Sequence, residues 1–328
     1  MIQVAKAQRV FSLSAATDPR SPAAVSALAV IRVAKDQRVF SLSAAAEPAA
    51  RVAAGGTVCL ETADCFDDRV RSSGDTPQGV DWDHINPATG PVYVEGAGPG
   101  DVLSVTVERV EVADQGVMAV SAGFGVLRRR FSGTSFRTVP LRGGVAELPG
   151  GARVPLRPMI GVIGVAPAGE PVPCGSPGSH GGNMDTRLIG EGATVYLPVA
   201  VPGALVAAGD LHAAMGDGEI CGTGVEVAGS VTVRMDVRRD LDLVNPLVET
   251  AEVVATVASA VTLDEAADLA TRDMADLLCA RLGLSIGDAT MMMSAAGELQ
   301  VSQVVDPLKT ARFVLAKDIV AGFGGTLV

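Results

Sequence analysis

Val231-Thr232-Val233-Arg234-Met235-Asp236-Val237 alternates apolar and polar side chains from end to end. A period of two marks a strand with one face in a core and the other in water. Val102–Val112 starts the same way, with Leu103, Val105 and Val107 as its apolar set, and then changes phase to Val110 and Val112. A one-residue slip near Glu108-Arg109 reads as a β-bulge. Ala228-Gly229, between Val225 and Val227 on one side and the first stretch on the other, reads as a hairpin turn. With 38 Gly and 19 Pro as punctuation, the region from about residue 52 to 237 is expected to be mainly β, a β-sandwich or barrel-like body.

Both flanks have a different character. Thr262-Leu263-Asp264-Glu265 is a capping box, and Leu263, Ala266, Ala270, Met274, Leu277 and Leu278 form the apolar stripe of the helix behind it, with Gly283 as its stop. A shorter helix over 289–295 and strands near 299–305 and 311–315 complete an expected C-terminal α/β subdomain. At the other end, Ile2-Gln3-Val4-Ala5-Lys6-Ala7-Gln8-Arg9-Val10-Phe11-Ser12-Leu13-Ser14-Ala15-Ala16 recurs almost unchanged as Ile31-Arg32-Val33-Ala34-Lys35-Asp36-Gln37-Arg38-Val39-Phe40-Ser41-Leu42-Ser43-Ala44-Ala45. One extra copy is a local duplication rather than a solenoid. The second copy runs into the body, so it is taken as the native strand. The expected organisation is an extension over 1–32, a β-rich catalytic body over 33–240 and the α/β subdomain over 241–328.

Composition narrows the function classes. The 328 residues carry 37 acidic and 26 basic groups, a net charge of -11, which disfavours a phosphate-neutralising nucleic-acid face. Aromatic residues make up 3%, too few for base-stacking platforms. Five cysteines with no C-x-x-C pair argue against a disulfide framework or zinc ribbon, and a cytoplasmic protein is expected. No apolar run reaches membrane length, and Arg and Lys interrupt every candidate signal segment. Such a chain suits a small-molecule partner.

Three histidines, His84, His180 and His212, each lie in a loop-like stretch beside carboxylates. Asp210 and His212 are two apart, so on an extended segment they share a face and can offer oxygen and nitrogen to one divalent ion; a hydrogen-bonded turn is the plainer alternative. Asp64, at a strand end, is a second candidate ligand. Glu219, on the Gly216-Asp217-Gly218-Glu219 turn, is placed to act as a general base, with Glu226 as its rival; an exposed turn Glu is the alternative. Gly181-Gly182-Asn183 offers N–H groups and a side-chain amide to an oxyanion, or forms an ordinary tight turn. Cys174 has the position of a nucleophile but no feature that lowers its pKa. There is no P-loop and no nucleophile elbow. Arg128-Arg129-Arg130 reads as a solvated loop, and Met291-Met292-Met293 as core packing.

Asn86-Pro87-Ala88-Thr89-Gly90-Pro91-Val92-Tyr93-Val94-Glu95-Gly96-Ala97 and Pro99-Gly100-Asp101-Val102-Leu103 resemble the acetamidase/formamidase family. So do Pro177-Gly178-Ser179-His180-Gly181-Gly182-Asn183-Met184-Asp185, Leu197-Pro198-Val199, Gly203-Ala204-Leu205, Gly209-Asp210-Leu211-His212 through Gly218-Glu219, and Gln303-Val304-Val305-Asp306-Pro307. The resemblance runs from about residue 33 onward; the first copy of the repeat has no counterpart in it. It implies hydrolysis of short amides such as formamide or acetamide, a β-sandwich with a C-terminal α/β subdomain, a homodimer or larger assembly, and a divalent metal, zinc first and calcium second. Lactam-cleaving members leave the substrate open. The expectation drawn from residues and resemblance together has Asp64, His84, Asp210 and His212 holding the metal. Glu219 moves the proton, and His180 and Asn183 hold or polarise the amide carbonyl. A metal-free Cys174 nucleophile and a non-catalytic binding protein of the same fold are the alternatives.

Overall fold

The computed structural model describes residues 30–323 and 326–328, so the first copy of the repeat lies outside the described residues. Among these residues the strands gather into a nine-stranded and an eleven-stranded sheet with open edges, beside a two-stranded pair of Ser41–Leu42 with Val172–Pro173. Gly229–Arg238 lies inside the nine-stranded sheet, between Gly56–Thr62 and Val102–Val112, antiparallel to both. Its alternation is realised: Val231, Val233 and Met235 are buried, while Thr232, Arg234 and Asp236 turn the other way. The pairing register with Val102–Val112 slips between Thr232 and Val233, opposite Arg109 and Val107, which leaves Glu108 as the extra residue of the expected bulge.

The two sheets face each other across one core. Val58, Leu60, Val105 and Val233 from the first sheet pack with Val92, Ile160, Ile163 and Leu211 from the second. Each such side chain contributes roughly 1.5–3 kcal/mol when fully buried. The hairpin expected at Ala228-Gly229 is absent from the described residues. Glu226–Val227 pairs with Val206–His212 and Gln115–Val120 in the second sheet, whereas Gly229–Arg238 belongs to the first. Ala228 is therefore a corner at which the chain changes sheets, and strand alternation alone does not distinguish a corner from a turn.

The C-terminal part extends the nine-stranded sheet rather than building its own. Leu247–Glu249, Val253–Ala260, Lys309–Ala316 and Glu298–Gln303 continue it in that order. Helix α1, Leu263–Leu282, covers this half with Ala270, Met274, Leu277 and Leu278. Its capping box forms as expected: the Thr262 hydroxyl accepts from the Glu265 N–H, and the Glu265 carboxylate accepts from the Thr262 N–H. Gly283 ends the helix at φ 67°. Helix α2, Ile286–Ala296, buries Met293, but Met291 points to water, so the methionine run is only partly core. Among the described residues no helix is long and apolar enough to cross a membrane.

Candidate active site

The Val206–His212 strand is buried along its whole length, yet it carries an acid and an imidazole. Such groups persist in a core only when paired or ligating. Glu226 is the cross-strand partner of His212 in the register, and its Oε2 lies 3.2 Å from His212 Nε2. Asp210 Oδ1 is 3.7 Å and Asp185 Oδ1 3.8 Å from the same nitrogen. Glu219 lies with Asp185 and His212 in a group whose ligand atoms are all within 4.8 Å of one another, and Cys65, Asp210 and Glu226 form a second such group. Asp306 joins from the C-terminal half, where its Oδ2 accepts from Asn183 Nδ2 at 3.0 Å. One imidazole is thus ringed by the buried Asp185, Asp210, Glu219 and Glu226, with the half-buried Asp306 further out beside Asp185 and Asn183.

Two glycines make the room. A Cβ at Gly161 would lie 2.7 Å from Asp185 Oδ1 and 2.9 Å from Asp210 Oδ2, and one at Gly224 would lie 2.6 Å from the His212 ring. The backbone is strained toward the same spot. Asn86, Asp185, Asp210 and Glu219 have φ of 53°, 43°, 54° and 46°, the left-handed region that side chains seldom adopt. Asn86 donates to Asp210 Oδ2 at 3.0 Å and fixes that carboxylate.

The electrostatics follow from burial. Desolvation, then the facing Asp185 charge, holds Glu219 well above the usual carboxylate range. Desolvation lifts Glu226 to about 8 against the pull of His212, and Asp185 to about 6. Burial alone would push His212 down; Glu226 and Asp210 outweigh it and hold the ring well above its ordinary value. Several polar atoms here have no hydrogen-bond partner: both Asp185 oxygens, Asp210 Oδ1, Glu226 Oε2 and both His212 nitrogens. Buried orphaned ligand atoms converging from two strands and the loop after Gly181–Asn183 fit a divalent cation, which would relieve the carboxylates' mutual repulsion.

Not every expected residue joins this cluster. His84 stands apart: its side chain is 55% exposed, with Nδ1 2.9 Å from Asp81 and the ring edge-on to Phe40. Asp64 is buried, but its Oδ1 accepts from the Phe66 and Asp68 N–H groups at 2.9 Å, the bonding of a turn. His180 is buried with Nε2 unpartnered, and desolvation lowers its pKa, but it is not part of the cavity wall. The Gly181 N–H is used on the Gly178 carbonyl, and the Asn183 amide gives one N–H to Asp306 and leaves its Oδ1, an acceptor, without a partner. Cys174 is fully buried and desolvation pushes its thiol up to about 12. Asp185 and Asp306 were not singled out from the sequence. Asn183-x-Asp185 offered the same two-residue spacing as Asp210-x-His212; for Asp306 no local spacing exists.

The C-terminal half holds the Glu219 loop in place. Arg312, fully buried, donates to Asp217 Oδ2 at 2.6 Å and to Ser302 Oγ at 3.1 Å, and the Gly218 N–H donates to the Ser302 carbonyl at 2.8 Å. Above the cluster opens a cavity of about 400 Å³, with Asn183, Asp210, Glu219, Glu226 and Asp306 on its floor.

This chain is similar to known proteins along most of its length. It superposes with a TM-score of 0.87 at 48% identity on a recombinant protein from Thermoanaerobacter tengcongensis predicted to be an acetamidase/formamidase, covering 90% of this chain and 98% of that one. On an acetamidase from Bacillus halodurans the TM-score is 0.86 at 47% identity, covering 90% and 100%. A curated Schizosaccharomyces pombe relative is 28% identical over 260 residues, 59% of this chain, and the match spans only 63% of that protein's own length. The model of the Acetamidase/Formamidase family matches residues 43–176 and 170–320. With the buried Asp210-x-His212 strand and Glu219 loop lying inside the matched segments, the chain belongs to the acetamidase/formamidase family.

Proposed function

We propose that this protein is an amidohydrolase that cleaves the C–N bond of small linear amides to a carboxylate and ammonia. The observation that carries the reading is the ring of buried, partly orphaned carboxylates around His212, on the floor of a cavity open to a small molecule. Asp185, Asp210 and His212 would hold a divalent ion, with Glu226 against the imidazole. One imidazole among carboxylates suits zinc better than calcium, which takes oxygen ligands throughout. When bound, such an ion supplies Lewis acidity toward a carbonyl and toward water. Glu219 takes a proton from the attacking water and returns it to the departing nitrogen, a role open to a carboxylate that lines the cavity beside Asp185 and His212. Asn183 Oδ1 accepts from the substrate's NH₂, and Asp306 fixes that amide's orientation through Nδ2. Closure of the floor by burial keeps bulk water from competing for these contacts.

The five cysteines are free, in keeping with a reducing, cytoplasmic setting. Exposed Val126, Leu127 and Ile220 support assembly as a homodimer or larger, since such a patch is commonly covered by another chain. A Cys174 nucleophile is disfavoured by its burial and raised pKa. The test is an ammonia-release screen of short amides beside elemental analysis of the purified protein. Equal yields of ammonia and carboxylate, with a stoichiometric divalent ion and loss of turnover on chelation, are expected. Saturable ligand binding without release of ammonia from any amide would replace the reading with a binding protein.

A further inference from the structure

The cavity that ends on the carboxylate floor has a second, very different wall. Phe40, Phe66, Trp82, Ile85 and Phe124 line it, in a chain with only 1 Trp, 2 Tyr and 8 Phe. These rings brace one another. Trp82 stacks on Phe136 at 6.4 Å between centroids and 14° between planes, meets Phe66 edge-on at 6.2 Å, and leans on Phe124 at 5.9 Å. Phe66 in turn packs edge-on against Phe136 at 5.2 Å. The indole N–H donates to the Pro77 carbonyl at 3.1 Å, so its one polar atom is satisfied away from the cavity and an apolar face is left toward it. Trp82 nevertheless remains 37% exposed, a large apolar surface in contact with water at the site's mouth.

The volume points the same way. At ~30 Å³ per liquid water, the cavity of about 400 Å³ holds roughly a dozen waters. Acetamide, with its four heavy atoms, would displace only a few of them and leave most of the apolar lining without a partner. Binding energy would then be left unused on the apolar side.

From this wall and floor, the geometry points to primary amides with a phenyl-sized aromatic or branched apolar acyl group as the substrates this site is shaped for. The amide lies on the Asn183–Glu219 floor and the ring lies against Trp82, Phe66 and Phe124. This rests on the amide-hydrolysis reading above. The reaction is R–CO–NH₂ + H₂O giving R–COO⁻ and NH₄⁺: the C–N bond breaks, a C–O bond forms, and both protons of the water end on nitrogen.

Because Trp82 is the only tryptophan, its fluorescence reports on this wall alone. Two measurements on the full-length protein test the proposal: kcat/KM for phenylacetamide against acetamide, and a titration of Trp82 emission with phenylacetamide in the slow variant Glu219→Gln. Phenylacetamide should win by at least about tenfold, the discrimination that apolar contacts supply, and should change Trp82 emission saturably. Phe124→Ala should cut that ratio by about tenfold. Equal or better use of acetamide, with no saturable emission change, overturns the proposal and leaves amide hydrolysis standing. A saturable change with no ammonia from any amide overturns the hydrolysis reading and leaves the aromatic binding wall in place.

Discussion

Glu219 concentrates the site's chemistry in one side chain. It is buried, its backbone sits at φ 46°, and it is held in a loop between two glycines. Glu219→Gln keeps shape and strain and removes the basicity. We expect kcat to fall at least ~100-fold, the usual value of a general base, with KM changed by little. Glu226→Gln is the comparison. Since Glu226 touches His212 at 3.2 Å, its loss should lower the bound divalent ion, read by elemental analysis, as well as turnover. If the two variants exchange these signatures, Glu226 is the base. At this scale the sequence was legible wherever chemistry was local: Asp210-x-His212 lies on one strand face, and Glu219 follows on the next loop. It was illegible wherever partners meet through the fold. Asp185 and Asp306 come from separate elements, and although Glu226 was a candidate base, nothing in its spacing carries its 3.2 Å approach to His212. His84 shows the converse, since a histidine beside carboxylates in sequence can still face water.

Among elements, the Lys309–Ala316 strand and the loop carrying Glu219 depend on each other. Arg312 is wholly buried, and its one charged partner among the described residues, Asp217, is part-exposed. Arg312→Met should therefore cost about 1–3 kcal/mol in urea unfolding, below the range for a fully buried pair, because solvent screens Asp217. Its distinguishing effect is on kcat with KM largely kept, because the loop that aims Glu219 loosens while the cavity walls remain. A fall in stability with kcat intact would make Arg312 purely structural. Element by element, the helix cap, the bulge at Glu108 and the alternation of Gly229–Arg238 could be read in advance because each is set by neighbours in sequence. The sheet change at Ala228 could not, since a hairpin and a corner share the same local pattern and differ only in which distant strands are free to pair.

For the whole molecule, the nine-stranded sheet has an edge position beside Gly56–Thr62 that Ile31–Val33, from the second copy of the repeat, fills in parallel register. A chain beginning at Val30 should keep its denaturation midpoint and its kcat/KM, since the first copy repeats a segment whose place is taken. A chain beginning at Ala34 loses Val33, 3% exposed, and should unfold at lower urea by about 1.5–3 kcal/mol. Loss of stability in the longer of the two truncated chains would give the first copy a structural role.

The lacing of the Glu219 loop to Ser302 and Arg312 also orders events in time. Synthesis delivers residues at roughly 5–20 per second from the N-terminus, so Asp185, Asp210, Glu219 and Glu226 leave the ribosome several seconds before Asp306 and Arg312. Until those last strands arrive, the Glu219 loop lacks its anchor and the acidic floor lacks its far wall. The nascent chain therefore carries the acidic groups of a cation site without the geometry to hold an ion firmly or to act on an amide. Competence comes only once the Lys309–Ala316 strand has emerged and docked beside Val253–Ala260.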